Sequence, residues 1–222
     1  MKKILIFGLC FVFWACSDST HTHNNESDAV LLVESYPQVV EIIEKRAAGD
    51  MQGATQVQDS ILKVGVGQNI IDDNISLITR AFTSGYELVL PNDIKGKLDD
   101  YIIISTLPRG IYNLGLIPTS KHFEFALSPS LNADGSEWNW EADALSRPQE
   151  EFIQLLGDDK NAKILFYDGG EHIYAPMGSA HIAIMWAKHL GYTQLYRLVG
   201  GFSAWKDLGL PVTTEKPHCC EM

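Results

Sequence analysis

The chain has 222 residues, 45% hydrophobic, 10% aromatic and 20% charged, a globular composition at a length that allows one large domain or two small ones. Disorder, collagen and a multispan membrane protein are excluded. With 17 Lys and Arg against 28 Asp and Glu the net charge is −11, the wrong sign for neutralising a phosphate backbone, so nucleic acid is not an expected partner.

Lys2 and Lys3 precede an uncharged apolar run from Ile4 to Ala15. A spanning helix takes roughly 20 residues, so this shorter run reads as an export signal with a positive start, an apolar middle and a small residue at its end. Phe13-Trp14-Ala15-Cys16 resembles a lipobox, although Phe13 and Trp14 are bulkier than that pattern usually has. The resemblance implies a signal peptide over 1–15, a lipid on Cys16 and a membrane-anchored lipoprotein of the cell envelope, facing the periplasm or exterior. An uncleaved anchor, or cleavage at an unusual site, is the alternative. Without residues 1–15 the chain keeps 15 bases and 28 acids, net −13. Ser17 to Asp28 is polar with little to bury and suits a tether over 16–29. His21 and His23 within it either touch a metal or belong to a solvated linker.

Of the four cysteines, Cys10 leaves with the signal and Cys16 is the lipid acceptor, which leaves Cys219 and Cys220 near the end. The body must therefore fold without a disulfide framework. The adjacent pair can form a strained vicinal disulfide, or bind a soft metal together with His218 and Met222. A reactive pair in a disordered tail (214–222) is the plainer reading.

Residues 30–85 read as a helical extension. Pro37 suits a first helical turn, with Val39, Val40, Ile42 and Ile43 on one face and Glu41, Glu44, Lys45 and Arg46 opposite; Gly49 and Gly53 end it. Apolar positions from Ala54 to Ser84 predict two further helices broken around Gly65-Val66-Gly67. From Tyr86 strands alternate with helices, the mark of an α/β domain with a largely parallel sheet. The expected strands are 87–90, 101–106, 123–127, 163–167 and 194–198. The expected helices are 93–98, one opened by a Ser146/Gln149 capping box and ending at Leu156, 179–190, and 202–208.

The closing stretch carries the most specific signal: His189-Leu190-Gly191-Tyr192, Leu195-Tyr196-Arg197-Leu198, Gly200-Gly201-Phe202-Ser203-Ala204-Trp205 and Gly209-Leu210-Pro211-Val212. Together with Tyr112 and Gly115-Leu116-Ile117-Pro118, it is similar to the rhodanese-like domains, whose active members carry sulfane sulfur on a cysteine persulfide. The resemblance spans about 86–213 and implies a three-layer α/β domain around a central, mainly parallel sheet. Physically, Gly200-Gly201 permits a tight strand-to-helix turn, and Trp205 closes the core beneath it. Both are folding roles.

In the resembled family a loop cysteine follows the buried strand, its thiolate held by backbone N–H groups and a helix N-terminus. Counting forward from the 163–167 strand places that position at Asp168; counting back from the following helix places it at Tyr174. Neither has sulfur. The loop Asp168-Gly169-Gly170-Glu171-His172-Ile173-Tyr174 to Ser179 is longer than the pattern, with Ser179 at the place of its final arginine. Ser105-Thr106-Leu107 replaces Asp-x-Arg, and Leu116 replaces the histidine of Gly-His-Ile-Pro.

A carboxylate or phenol carries no transferable sulfur, so the expected function is a non-catalytic module that binds a ligand or an envelope protein partner, with no cofactor implied. Asp168, Glu171 and His172 either offer hard and borderline ligands for a cation or form a hydrogen-bonded surface loop. The alternative is sulfurtransferase, redox or metal chemistry moved to Cys219 and Cys220. Trp138 and Trp140 form an aromatic contact strip or fold onto the sheet. His122, His181 and His189 read as structural or surface residues.

Overall fold

Ser27 accepts a hydrogen bond from the Val30 N–H at 3.4 Å, and Asp28 stands in the first turn where the helix dipole favours negative charge. These caps open the first described element of the structure, a computed structural model that describes residues 27–108, 115–125, 147–170 and 178–215. Helix α1 runs Asp28–Ala47 with Pro37 in its interior, so it starts inside the stretch expected as tether and well before the expected first turn. The cause is Ala29, Val30, Leu32 and Val33, all buried. Each of the larger side chains contributes about 1.5–3 kcal/mol, which together outweigh the roughly 3 kcal/mol cost of an interior proline.

Helices α2 (Met51–Lys63) and α3 (Gln68–Ser84) follow with the expected break between them. Gly53 does not end α1; its N–H donates to Asp50 Oδ1 at 2.8 Å inside the first turn of α2. Buried Asn74 of α3 fastens α1 by donating from Nδ2 to the Leu32 carbonyl at 2.9 Å and to Ser35 Oγ at 3.0 Å. Among the described residues no helix is long and apolar enough to cross a membrane.

The remaining elements among the described residues are β1 (Glu87–Val89), α4 (Pro91–Ile94), a 3-10 turn (Leu98–Asp100), β2 (Ile102–Ser105), β3 (Lys121–His122), α5 (Gln149–Leu156), β4 (Lys163–Tyr167), α6 (Ser179–His189), β5 (Gln194–Leu198) and α7 (Gly201–Asp207). The five strands form one sheet in the order β1-β5-β4-β2-β3, and every pairing is parallel. The α/β expectation therefore holds, with local corrections. Helix α4 starts at Pro91, which favours a first helical position, and not at residue 93. The strand expected from Phe123 lies at 121–122, because Phe123 and Phe125 turn to pack on Phe152, with ring centroids 5.0 and 5.1 Å away. Helix α5 has Pro148 as its N-cap with no side-chain cap, so the expected capping box does not open it. Ser146 lies outside the described residues, as do Trp138 and Trp140.

Alternation along the strands divides the core. Ile164 and Phe166 of β4 face Phe152, Ile184 and Trp186 of α5 and α6, while Leu165 and Tyr167 face Ile94, Phe202 and Trp205 on the other side. A third apolar cluster joins α1, α2 and α3 to Val199 and Ala204 of the α/β unit. The Gly200-Gly201 turn is where they meet. Both glycines have positive φ, 72° and 54°. A Cβ on Gly200 would stand 2.9 Å from the Ala29 carbonyl oxygen and 3.0 Å from Val33 Cγ2, closer than packed atoms tolerate.

Candidate functional site

The parallel strands deliver their C-terminal ends to one edge, the usual place for a site in an open α/β sheet. Asp168, the first residue after β4, sends its carboxylate back across the loop. Oδ1 accepts the Gly170 N–H at 3.2 Å, and Oδ2 accepts the Ala180 N–H in the first turn of α6 at 3.4 Å. Oδ2 also takes a charge-assisted bond from Arg197 Nη2 at 2.9 Å, with side-chain exposures of 4% for Arg197 and 16% for Asp168. Gly178 makes room for this pair, since a Cβ there would lie 2.6 Å from Asp168 Oδ2 and 2.9 Å from Arg197 Nη2.

Arg197 comes from β5, on the face shared with Leu195 and covered by α6. Burial works against its charge, and Asp168 and Tyr86 beside it together more than offset this, so its pKa is raised. Tyr86 lies close enough to Arg197 for each to influence the other's titration, and its hydroxyl stands 3.2 Å from His181 Nδ1. Burial, and after it the charges of Arg197 and Arg80, pull the His181 pKa down to about 3. Burial likewise pushes the Tyr86 hydroxyl up.

Ser179, the first residue of α6, is buried against Thr106: its Oγ lies 2.8 Å from Thr106 Oγ1 and donates to the Thr106 carbonyl at 3.1 Å. The Ser105-Thr106-Leu107 stretch is thus tied to the helix N-terminus by hydroxyls. Ser105 Oγ accepts from Leu107 N–H at 3.4 Å and lies 3.4 Å from His122 Nδ1. Tyr167, at the end of β4, donates to Ser120 Oγ at 3.1 Å and accepts the Ile117 N–H at 3.2 Å. Leu116 is buried and pairs with Thr213 in both directions at 2.8 and 2.9 Å.

Of the expected site residues, the structure brings together Asp168, Gly169, Gly170 and Ser179. Glu171, His172 and Tyr174 lie outside the described residues, as do Tyr112, Cys16, His21, His23, His218, Cys219 and Cys220. Among the described residues no group of three or more His, Cys, Asp or Glu gathers for a metal. The arrangement is a neutralised pair at a helix N-terminus, with a buried polar chain behind it. Sequence reasoning missed Arg197, Tyr86 and the role of His181. The signal was an arginine in a strand run whose neighbours Leu195 and Leu198 are apolar, since a buried charge needs a partner.

A model of the rhodanese-like domain matches residues 90–208. This is more than half of the chain, and the protein belongs to the rhodanese-like domain family. Among solved structures it is similar to a rhodanese-related protein from Thermoplasma volcanium, at 14% identity over 59% of this chain and 100% of that one, TM-score 0.38. It is similar also to the rhodanese-like domain of an Anabaena sp. protein, at 18% identity over 61% and 83%, TM-score 0.39. A third is 3-mercaptopyruvate sulfurtransferase from Leishmania major, at 18% identity over 60% of this chain and 38% of that one, TM-score 0.40. No curated protein matches the sequence.

Proposed function

We propose that the chain is an exported, lipid-anchored envelope protein whose rhodanese-like domain binds a ligand or partner and carries no sulfane sulfur. The observation that supports this reading is the Asp168 carboxylate at the end of β4, joined to the first turn of α6 and to Arg197. A thiolate and its persulfide need that helix end and its N–H donors free to hold their charge. Here a fixed carboxylate uses them, and oxygen bound to carbon accepts no sulfane sulfur in a reversible step. The test is sulfur transfer from thiosulfate to cyanide by a Cys219→Ser/Cys220→Ser protein. No turnover above the uncatalysed rate is expected, and turnover that survives both substitutions overturns the reading.

A second reading places redox, metal or sulfur chemistry on Cys219 and Cys220. The pairing of Thr213 with Leu116 favours it, because it fastens the start of the tail to the domain beside Ile117, whose N–H bonds to the Tyr167 hydroxyl one residue before Asp168. From Glu215 to Cys219 is a reach of at most about 14 Å. Turnover by the full chain that is lost on removing residues 218–222 would support it.

A further inference from the structure

We propose that the cleft between α1 and α2 is a binding site for an aliphatic ammonium group, a hydrocarbon chain that ends in a protonated amine. It belongs to the helical extension and stands apart from the Asp168 edge. The cleft has a volume of about 280 Å³, close to the small end of ligand pockets at roughly 300 Å³. Helix α1 contributes Glu34, Ser35 and Gln38, α2 contributes Ser60 and Ile61, and the link to α3 contributes Val64 and Val66.

The polar side chains lining it have acceptors to offer and no donors left. The Glu34 carboxylate only accepts and has no ion-pair partner among the described residues. Gln38 gives both amide hydrogens to the Glu34 and Ser35 carbonyls, at 3.0 and 3.1 Å, which leaves its oxygen. Ser60 donates its one hydroxyl proton to the Val57 carbonyl at 2.6 Å, and Ser35 donates to the Leu31 carbonyl at 2.7 Å. Behind Ser35, Asn74 keeps its Oδ1 buried without a hydrogen-bond partner, so the surplus of acceptors continues beneath the cleft. No lining residue is basic. A ligand bringing negative charge or acceptors alone would lose its water and gain no bond, whereas one bringing N–H donors and positive charge meets acceptors.

The apolar lining decides the rest of the ligand. Ile61 and Val66 are 3% and 8% exposed, whereas Val64 is 80% exposed, an aliphatic side chain that the fold leaves uncovered beside the cleft. A hydrocarbon chain would cover it. A bare divalent cation fits worse, since it takes roughly six to eight oxygen ligands and the cleft supplies one carboxylate among aliphatic side chains. The net charge of −11 draws cations to the whole surface, and the union of Glu34 with Ile61, Val64 and Val66 selects among them.

The full chain, labelled at isoleucine and valine methyl groups, is titrated by NMR with n-hexylamine, n-hexanol and hexanoate at neutral pH. The amine should shift the methyl signals of Ile61, Val64 and Val66 to saturation. The alcohol should bind about 10-fold more weakly, for want of a charge pair at a partly exposed site, and hexanoate should not bind. Glu34→Gln should bring the amine down to the affinity of the alcohol and leave the alcohol unchanged, while Val64→Asn should weaken both; the two positions are exposed, and unchanged signals elsewhere verify the fold. A parallel titration with Nα-acetyl-lysine methylamide distinguishes the sources of the group: tighter binding than hexylamine assigns a lysyl side chain, weaker binding a free amine, and either supports the site. Alcohol or hexanoate binding as tightly as the amine, amine affinity unmoved by Glu34→Gln, methyl shifts confined to other residues, or no saturation overturns the proposal.

Discussion

Replacing Asp168 by alanine removes the counter-charge of a guanidinium that is 4% exposed. It also leaves the Ala180 and Gly170 N–H groups without the carboxylate they donate to. Breaking one side of a buried ion pair costs about 3–5 kcal/mol, because the surviving charge stays desolvated. Asp168 keeps some contact with water, at 16% exposure, which puts the expected loss at the lower end, about 3 kcal/mol. For a body of this size each kcal/mol moves the midpoint by about 2–4 °C, so thermal melting should fall by about 6–12 °C. Two further measurements separate the ion pair from general damage. Added formate should restore part of the loss by supplying a carboxylate of the right size to the vacated position. In a double-mutant cycle with Arg197→Met, the second substitution should cost far less in the Asp168→Ala background than alone, since the two positions share one interaction. A loss below about 1 kcal/mol, or strictly additive costs in the cycle, would refute the reading of Asp168 and Arg197 as a coupled, buried ion pair.

Acid sensitivity should reflect two groups of opposite sign. His181 has a folded pKa of about 3, below its ordinary 6.5; the unfolded chain takes up that proton first, so stability falls as pH drops from 6.5 toward 3, by up to about 1.4 kcal/mol per pH unit. Asp73, raised to about 6 by burial and then by Asp72 and Asp28, holds its proton more tightly when folded, so it adds stability as pH falls from 6 to 3.8, modestly because the side chain is only partly buried. Urea midpoints between pH 8 and 4 should therefore show a shallower acid loss for His181→Asn and a steeper one for Asp73→Asn, which should also be more stable than the native chain at pH 8; an unchanged acid limb in His181→Asn would sink the assignment. Gly200→Ala forces a Cβ onto a residue with φ of 72° and against the Ala29 carbonyl. It should cost more than the roughly 1–2 kcal/mol of the left-handed backbone alone and expose α1 to limited proteolysis, whereas native resistance would show that α1 is not seated on the turn.

Strand 163–167 was legible because Ile164 to Tyr167 are apolar on both faces, and 194–198 because Leu195, Tyr196 and Leu198 make up most of it despite Gln194 and Arg197; both appear at the expected bounds. The glycine break between α2 and α3 was legible for an equally local reason. Helix α1 was misplaced because Pro37 has a strong local preference, while the burial of Ala29 to Val33 against Val199 and Gly200 is a contact across the whole chain. The same distinction governs the site. That Asp168 follows β4 could be counted from the sequence. That its carboxylate meets Arg197, from a strand whose order in the chain and place in the sheet differ, depends on β4 and β5 being neighbours. The alternation of β5 assigns Arg197 to the covered face, so its need for a partner was readable, but not the partner's name.

Because Val199 and Ala204 share their apolar cluster with α1 to α3, the segment that inheritance marks out as a unit should fare poorly alone in water. A fragment trimmed to residues 86–213 would carry a raw greasy flank where the three helices had been, together with a glycine turn stripped of its cover. Such a truncate would seek a substitute surface, by sticking to itself or to a chaperone. Homology and autonomy therefore have different borders in this chain, and expression of the domain by itself should begin no later than Ser27.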